Sequence, residues 1–309
     1  MTRLADVWVI GESIQTLSDL CAGAESLGDK TTAVYFGDLE ASEASAFADT
    51  LYVLKPEAGQ HCVTRFTPTI IKLVSEARPN AVLLDTSKNG RFIAGCLAVA
   101  LGTNVLTDSL AIEVGDEESV QTTRMVFGGA ALRKESAKEV AVVVVGPAVF
   151  SDLIAPAKAG NVIETELLED SSGIVCLEKR EKGEKTVNLE QAKCIIGAGR
   201  GFTSEESLKL AYDLAEVLGG EIGCSRPIAE EEQWIPKSRY IGISGASCKP
   251  DLYICLGISG QVQHMVGINT AKTIVSINKN KSAPIFKQSD CGLVADLELA
   301  LPKLIEELK

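Results

Sequence analysis

The residues best suited to chemistry lie in one late stretch, Leu252-Tyr-Ile-Cys-Leu-Gly-Ile-Ser-Gly-Gln-Val-Gln-His264. Its apolar start, Leu252 to Leu256, reads as a buried strand. Gly257 breaks the strand, Ser259 and Gly260 make a turn, and Gln261, Val262, Gln263 and His264 open a polar-faced helix. Small residues between a strand and a helix N-terminus let backbone N–H groups approach an anion. The tetrapeptide Gly-Ile-Ser-Gly also occurs at 242–245, at the end of the apolar run Tyr240 to Ile243. Carboxyl ends of parallel strands share one sheet edge, so both copies are expected to line one crevice.

A second glycine cluster, Gly197-Ala-Gly-Arg-Gly201, follows a strand-like run and precedes a helical one. It lacks the last glycine of a dinucleotide fingerprint, since Phe202 stands there. Ser225-Arg226 occupies the place of the acid that would hold an NAD ribose. This disfavours an ordinary NAD site, and Arg200 among the glycines suggests a phosphate rather than a plain tight turn. The two histidines, His61 and His264, cannot build a His-pair metal site, so no metal is expected. His264 falls one helical turn beyond Gly260, beside whatever the turn binds; His61 falls in a loop and is given no role. Ser244 and Ser259 lack a nucleophile-elbow setting, which argues against a hydrolase. By type alone Asp296 suits a helix N-cap and Asn278 a turn.

The elements that must position these residues alternate. Strand-like runs at Val7 to Ile10, Thr31 to Phe36, Leu51 to Leu54 and Ala81 to Leu84 are separated by helical stretches over 14–27, 67–76 and 91–101. After Gly102 come shorter β-like runs at 111–114, 120–127 and 140–145, read as the closing strands of a first domain. Residues 151–193 are rich in Pro, Gly and charge, including the run Glu178 to Lys185, and read as an exposed edge and linker. The α/β alternation resumes with a helix over 204–218, strands at 221–224, 240–243, 252–256 and 273–277, and a helical end over 294–308 broken at Pro302. The expected fold is α/β with two doubly wound parallel-sheet domains, 1–188 and 189–309, the second Rossmann-like.

Composition narrows the partners. A length of 309 residues fits two cores, and a formal net charge of −12 argues against nucleic acid or an anionic membrane. Nine cysteines at irregular spacing with no C-x-x-C pair read as reduced thiols of a cytoplasmic protein. Asp6 interrupts what would be a signal sequence, and no apolar run reaches transmembrane length.

Several motifs, in order, resemble one family: Gly199-Arg-Gly, Cys224-Ser-Arg-Pro, Leu256-Gly-Ile-Ser-Gly-Gln-Val-Gln-His-Met, Thr273-Ile-Val-Ser-Ile-Asn-Lys-Asn, Ala283-Pro-Ile-Phe and Gly292-Leu-Val-Ala-Asp-Leu. They are similar to the α subunit of electron transfer flavoproteins, nearest its FixB-like branch of anaerobic carnitine metabolism and nitrogen fixation. Arg124-Met-Val-Phe-Gly-Gly extends the likeness more loosely into the first half. The resemblance implies FAD held by the C-terminal domain, and a heterodimer in which the N-terminal domain packs on a β subunit. It further implies an electron carrier between a dehydrogenase donor, such as an acyl-CoA dehydrogenase, and a quinone oxidoreductase or ferredoxin-type acceptor.

By motif, Arg200 and the residues Ser259, Gly260, Gln261, Val262, Gln263 and His264 would contact the diphosphate, ribityl chain and flavin, with His264 near the pyrimidine carbonyl. Ser225 and Arg226 would lie at the isoalloxazine, Ile241, Gly242, Ile243 and Ser244 along it with Ser244 toward N5, and Asn278, Asp296 and Leu297 at the adenosine end. The chain departs from the family at Ile243-Ser244, where Gln-Thr is common, at Cys291, commonly Tyr, and at Glu230-Glu-Glu-Gln, which lengthens the loop after Arg226. The alternatives are a self-sufficient flavin- or nicotinamide-dependent oxidoreductase, for which no acid–base set is evident, and a non-redox scaffold on the same fold.

Overall fold

The computed structural model describes residues 2–37, 45–55, 62–147, 149–170, 172–175, 177, 189 and 191–309. Both His61 and the charge run Glu178 to Lys185 lie outside them. The chain divides into two compact units, Met1–Val126 with Ala131–Glu181, and Phe127–Ala130 with Lys182–Lys309.

The first unit is built on strands β1 (Val7–Gly11), β2 (Thr31–Tyr35), β3 (Thr50–Leu54), β4 (Ala81–Leu84), β5 (Val105–Ser109), β9 (Ala141–Val145) and β10 (Asn161–Thr165), in the order β10-β3-β2-β1-β4-β9-β5. Every pairing in this sheet is parallel. Its central strands are buried along their whole length, as expected when both faces are covered, and this makes them continuous apolar runs. Alternate residues serve two cores: Val7, Val9, Ala33 and Leu83 face one, and Trp8, Ile10, Val34 and Leu84 the other. Among the described residues three helices cover it: α1 (Ile14–Leu27), α2 (Val63–Ala77, with Pro68 inside) and α3 (Lys88–Leu101), capped by Ser87, whose hydroxyl accepts from Gly90 N.

Three expectations for this half need correcting. The runs at 111–114 and 120–127 do not close the parallel sheet. They form β6 (Ala111–Val114) and β7 (Val120–Val126), which join β8 (Ala131–Ala137) in a separate antiparallel sheet. Strands β5 and β8 escaped the sequence reading. The supposed linker also contributes β10, paired with β3 at the sheet edge; an edge strand is largely exposed, so its polar sequence resembles a loop.

The second unit carries five parallel strands: β11 (Cys194–Ala198), β12 (Glu221–Cys224), β13 (Leu252–Leu256), β14 (Thr273–Asn278) and β15 (Cys291–Val294), ordered β12-β11-β13-β14-β15. Helices α4 (Lys209–Leu218) and α6 (Leu297–Glu307) share a core with one face of this sheet. The opposite face packs against loops and short helical turns that supply Ile241, Cys248, Met265, Ile268, Ala283 and Ile285. Here too the elements differ from expectation. Tyr240 to Ile243 is not a strand; Tyr240 and Ile241 make only isolated bridges, to Cys224 and Ala246. The helix expected from Ser204 begins as a short 3-10 turn at Glu206 and becomes α4 at Lys209. The chain forms β15 up to Val294 before α6, and Pro302 sits inside a continuous helix. A proline there deprives only the carbonyl one turn earlier, Glu298, an exposed residue of the first turn.

A candidate cofactor site at the carboxyl edge of the second sheet

In the second sheet β11 is flanked by β12 on one side and β13 on the other. The connections therefore leave in opposite directions, and the loops after β11 and β13 flank a switch point. Those two loops touch backbone to backbone. Gly199 N donates to Leu256 O at 2.9 Å, and Gly201 N to Gly257 O at 3.0 Å. A Cβ on Gly201 would lie 2.5 Å from Gly257 Cα, and Gly257, at φ +64, would place its own Cβ 2.5 Å from Gly201 Cα. Glycine is required on both loops for the approach to exist.

The turn beyond β13 is braced from two sides. Ile285 N donates to Ser259 O at 3.0 Å, Gln288 Nε2 to Gly260 O at 3.0 Å, and Asn278 Nδ2 to Ile258 O at 2.9 Å. The helix α5 (Val262–Met265) that follows has only four residues, so the expected helix-dipole attraction for an anion is not available there. What survives of the anion argument is the glycine backbone itself. The other Gly-Ile-Ser-Gly copy is a turn lying against α5: Ile243 N donates to Gln263 O at 2.8 Å, and Gly267 has no room for a Cβ beside Gly242 N. The two copies do lie together, through this packing rather than as ends of two strands.

Apart from Ile241 to Ser244, which lie in the turn packed on α5, the residues nominated from sequence end or follow strands of this sheet. Arg200 follows β11, Ser225 and Arg226 follow β12, Ser259 to His264 follow β13, Asn278 ends β14, and Asp296 and Leu297 follow β15. Their surroundings differ. Ser244, Ser259, Gln261 and Gln263 are exposed, whereas Ile241 and Leu297 are core side chains with only backbone to offer a ligand. Asn278 Oδ1 accepts from Asn280 N and Asp296 Oδ1 from Glu298 N, both at 2.9 Å, so each fills the turn or cap role its type suggested.

The cations are not free. Arg226 Nε lies 2.6 Å from Glu230 Oε2, Lys237 Nζ lies 2.7 Å from Glu230 Oε1, and Arg200 lies 3.7 Å from Glu231. Lys237 and Arg226 together hold the Glu230 carboxyl below its ordinary pKa. The glutamates that sequence marked only as loop lengthening are thus the partners of the two site arginines.

His264 is buried, with Nε2 2.9 Å from the hydroxyl of Tyr253 in β13. Burial pushes its pKa down to about 4; a hydrogen bond between the ring and the Ile241 backbone, outside strict hydrogen-bond geometry, opposes part of that shift. Nδ1 has no partner in hydrogen-bonding geometry among the described residues. Tyr253 went unnoticed in the sequence as one more residue of an apolar strand. The available signal was its phenol, because a buried tyrosine hydroxyl needs a partner. Among the described residues no cluster of His, Cys, Asp and Glu could hold a metal, and no helix is long and apolar enough to cross a membrane.

Comparison with known families matches residues 188–269 to the electron transfer flavoprotein FAD-binding domain and residues 17–170 to the electron transfer flavoprotein domain. YdiR of Escherichia coli strain K12, named for an electron transfer flavoprotein subunit, is 36% identical over 311 residues, covering 100% of this chain and 99% of its own. The protein FixB of Salmonella typhimurium strain LT2 is 32% identical over 313 residues, and FixB of Escherichia coli O81 is 32% identical over 314, each with the same coverage.

Proposed function

Because the chain belongs to the electron transfer flavoprotein family and carries its FAD-binding domain, we propose that the carboxyl edge of the second sheet holds FAD and that the chain works as the α subunit of a heterodimer with a β subunit. FAD, when bound, supplies one- and two-electron redox chemistry, which these side chains do not supply themselves. The residues present fit it. Glycines 199, 201 and 257 let the loops after β11 and β13 meet backbone to backbone where any Cβ would collide, Arg200 and Arg226 supply cations for an anionic cofactor, and His264 Nδ1 is a buried polar atom with no aligned partner among the described residues.

In this assignment Arg200 and the residues Ser259 to His264 serve the diphosphate, ribityl chain and flavin. Ser225, Arg226 and Ile241 to Ser244 line the isoalloxazine, and Asn278, Asp296 and Leu297 serve the adenosine end. The last three lie beyond the matched FAD-binding segment and rest on sharing the same sheet edge. Arg226 favours negative charge on the ring system, and Glu230 offsets it. The first unit packs on the β subunit. The donor is a dehydrogenase of acyl-CoA dehydrogenase type, the acceptor a quinone oxidoreductase or ferredoxin-type protein, and the setting the cytoplasm.

The observation that carries this proposal is that the matched FAD-binding segment coincides with the glycine-built switch point of the second sheet. Co-expression with a candidate β subunit tests it: a stable complex with a flavin absorption spectrum is expected, and a colourless complex overturns it.

A further inference from the structure

Tyr253, the second residue of β13, has no exposed surface. A phenylalanine would fill nearly the same volume without a hydroxyl to satisfy. The neighbouring strand makes room for that oxygen: a Cβ on Gly197 would lie 2.1 Å from it. Its hydrogen-bond partner is His264 Nε2 at 2.9 Å, and no other is found among the described residues. The phenol keeps its proton, since burial raises its pKa well above the ordinary value.

The donors and acceptors can then be counted. The phenol has one proton to place, and Nε2 is the acceptor within reach. An Nε2 that accepts is unprotonated, so the neutral imidazole carries its proton on Nδ1. In the opposite arrangement Nε2–H would donate to the phenol oxygen. The phenol proton would then have no acceptor and Nδ1 would be a bare buried lone pair, leaving two unsatisfied atoms instead of one.

We propose that Tyr253 is a positioning residue that fixes His264 as the Nδ1–H tautomer, so that the imidazole presents an uncharged hydrogen-bond donor to an acceptor atom of the bound FAD. The proposal rests on reading this crevice as the FAD site. Burial keeps the ring neutral around pH 7, so the donor arises from tautomer choice rather than from charge.

The chain has two histidines, and His61→Gln leaves His264 as its single one. That variant, labelled with 15N-histidine and co-expressed with unlabelled β subunit, is studied by NMR at pH 7, both stripped of FAD and reloaded. Expected are an unprotonated Nε2 and a protonated Nδ1 in both states, with the Nδ1–H signal moving on FAD addition. Adding Tyr253→Phe should abolish the tautomer preference and weaken FAD binding roughly tenfold. A protonated Nε2 in the stripped complex overturns the role of Tyr253, as does a tautomer unchanged by Tyr253→Phe. His264 signals unmoved by FAD, with the expected tautomer present, overturn instead the reading of His264 as a cofactor contact and with it the donor role. The tautomer with Tyr253 in place is read without altering the pair, so it decides even if Tyr253→Phe does not fold.

Discussion

The two units share one topology and line its carboxyl edge with different residues. Each has a parallel sheet whose first strand is flanked by the second on one side and a later strand on the other, so each has a switch point at its carboxyl edge. In the first unit the loops there supply Glu12 and Asp85. These groups are tied up locally, Asp85 Oδ1 accepting from Ser87 Oγ at 2.7 Å and Glu12 Oε2 from Asn89 Nδ2 at 2.5 Å. In the second unit the same positions carry Gly199, Arg200, Gly201 and Gly257, and the nearby His264 Nδ1 is buried with no aligned partner among the described residues. The fold repeats, and the residues at the ends of its strands make the two edges chemically different.

The comparison breaks most sharply at the glycines. Gly257→Val would force a Cβ against Gly201 at a left-handed φ, a strain worth roughly 1–3 kcal/mol from the dihedral alone. Bound flavin should be lost from the co-purified complex, as absorbance per protein would reveal. Gly11→Ala, at the carboxyl end of β1, meets only the side chains of Leu17 at 3.3 Å and Thr16 at 3.4 Å, and flavin content should be unchanged. Retention of flavin by Gly257→Val would mean that the close approach of the loops is not what admits the cofactor.

Acid separates the units next. His264 is pushed down to about 4 in the fold, below its unfolded value near 6.5. Between those values the unfolded chain binds a proton that the folded one does not. Stability of the second unit should therefore fall as pH drops from about 6.5 to about 4, by on the order of 3 kcal/mol, and His264→Gln should flatten that slope. Asp85 has the opposite sign. Burial raises its pKa, so its contribution is present at low pH and lost as pH rises through the carboxylate range. Trp8 lies in the first core and Trp234 against the second, so urea unfolding of Trp8→Phe and Trp234→Phe chains follows each unit separately. Parallel pH dependence of the two fluorescence transitions would remove this distinction.

The smallest effects are expected from the exposed ion pairs. Arg226→Ala should lower the flavin potential and Glu230→Gln should raise it, each by roughly tens of millivolts. Both shifts should shrink with added salt, because the arginine is open to solvent. Redox titration at two ionic strengths measures this; shifts of the same sign would separate Glu230 from Arg226.

Much of this molecule could be read along the chain. The buried parallel strands showed as continuous apolar runs, and β13 was located to the residue. Polar-sided elements escaped, because β10 looks like linker and β8 like a charged loop when their partners are unknown. The candidate site divides in the same way. Local spacing was enough to single out Arg200 and the turn from Ser259 to His264, since each follows an apolar strand within a few residues; Ser225 and Arg226 were nominated through the family motif Cys224-Ser-Arg-Pro. Strand order was needed to bring Gly201 against Gly257, Glu230 and Glu231 to the two arginines, and Tyr253 to His264. Backbone conformation is set largely by neighbours in sequence. The partner of a buried polar atom is set by which strands lie side by side, and that is a property of the packed sheet alone.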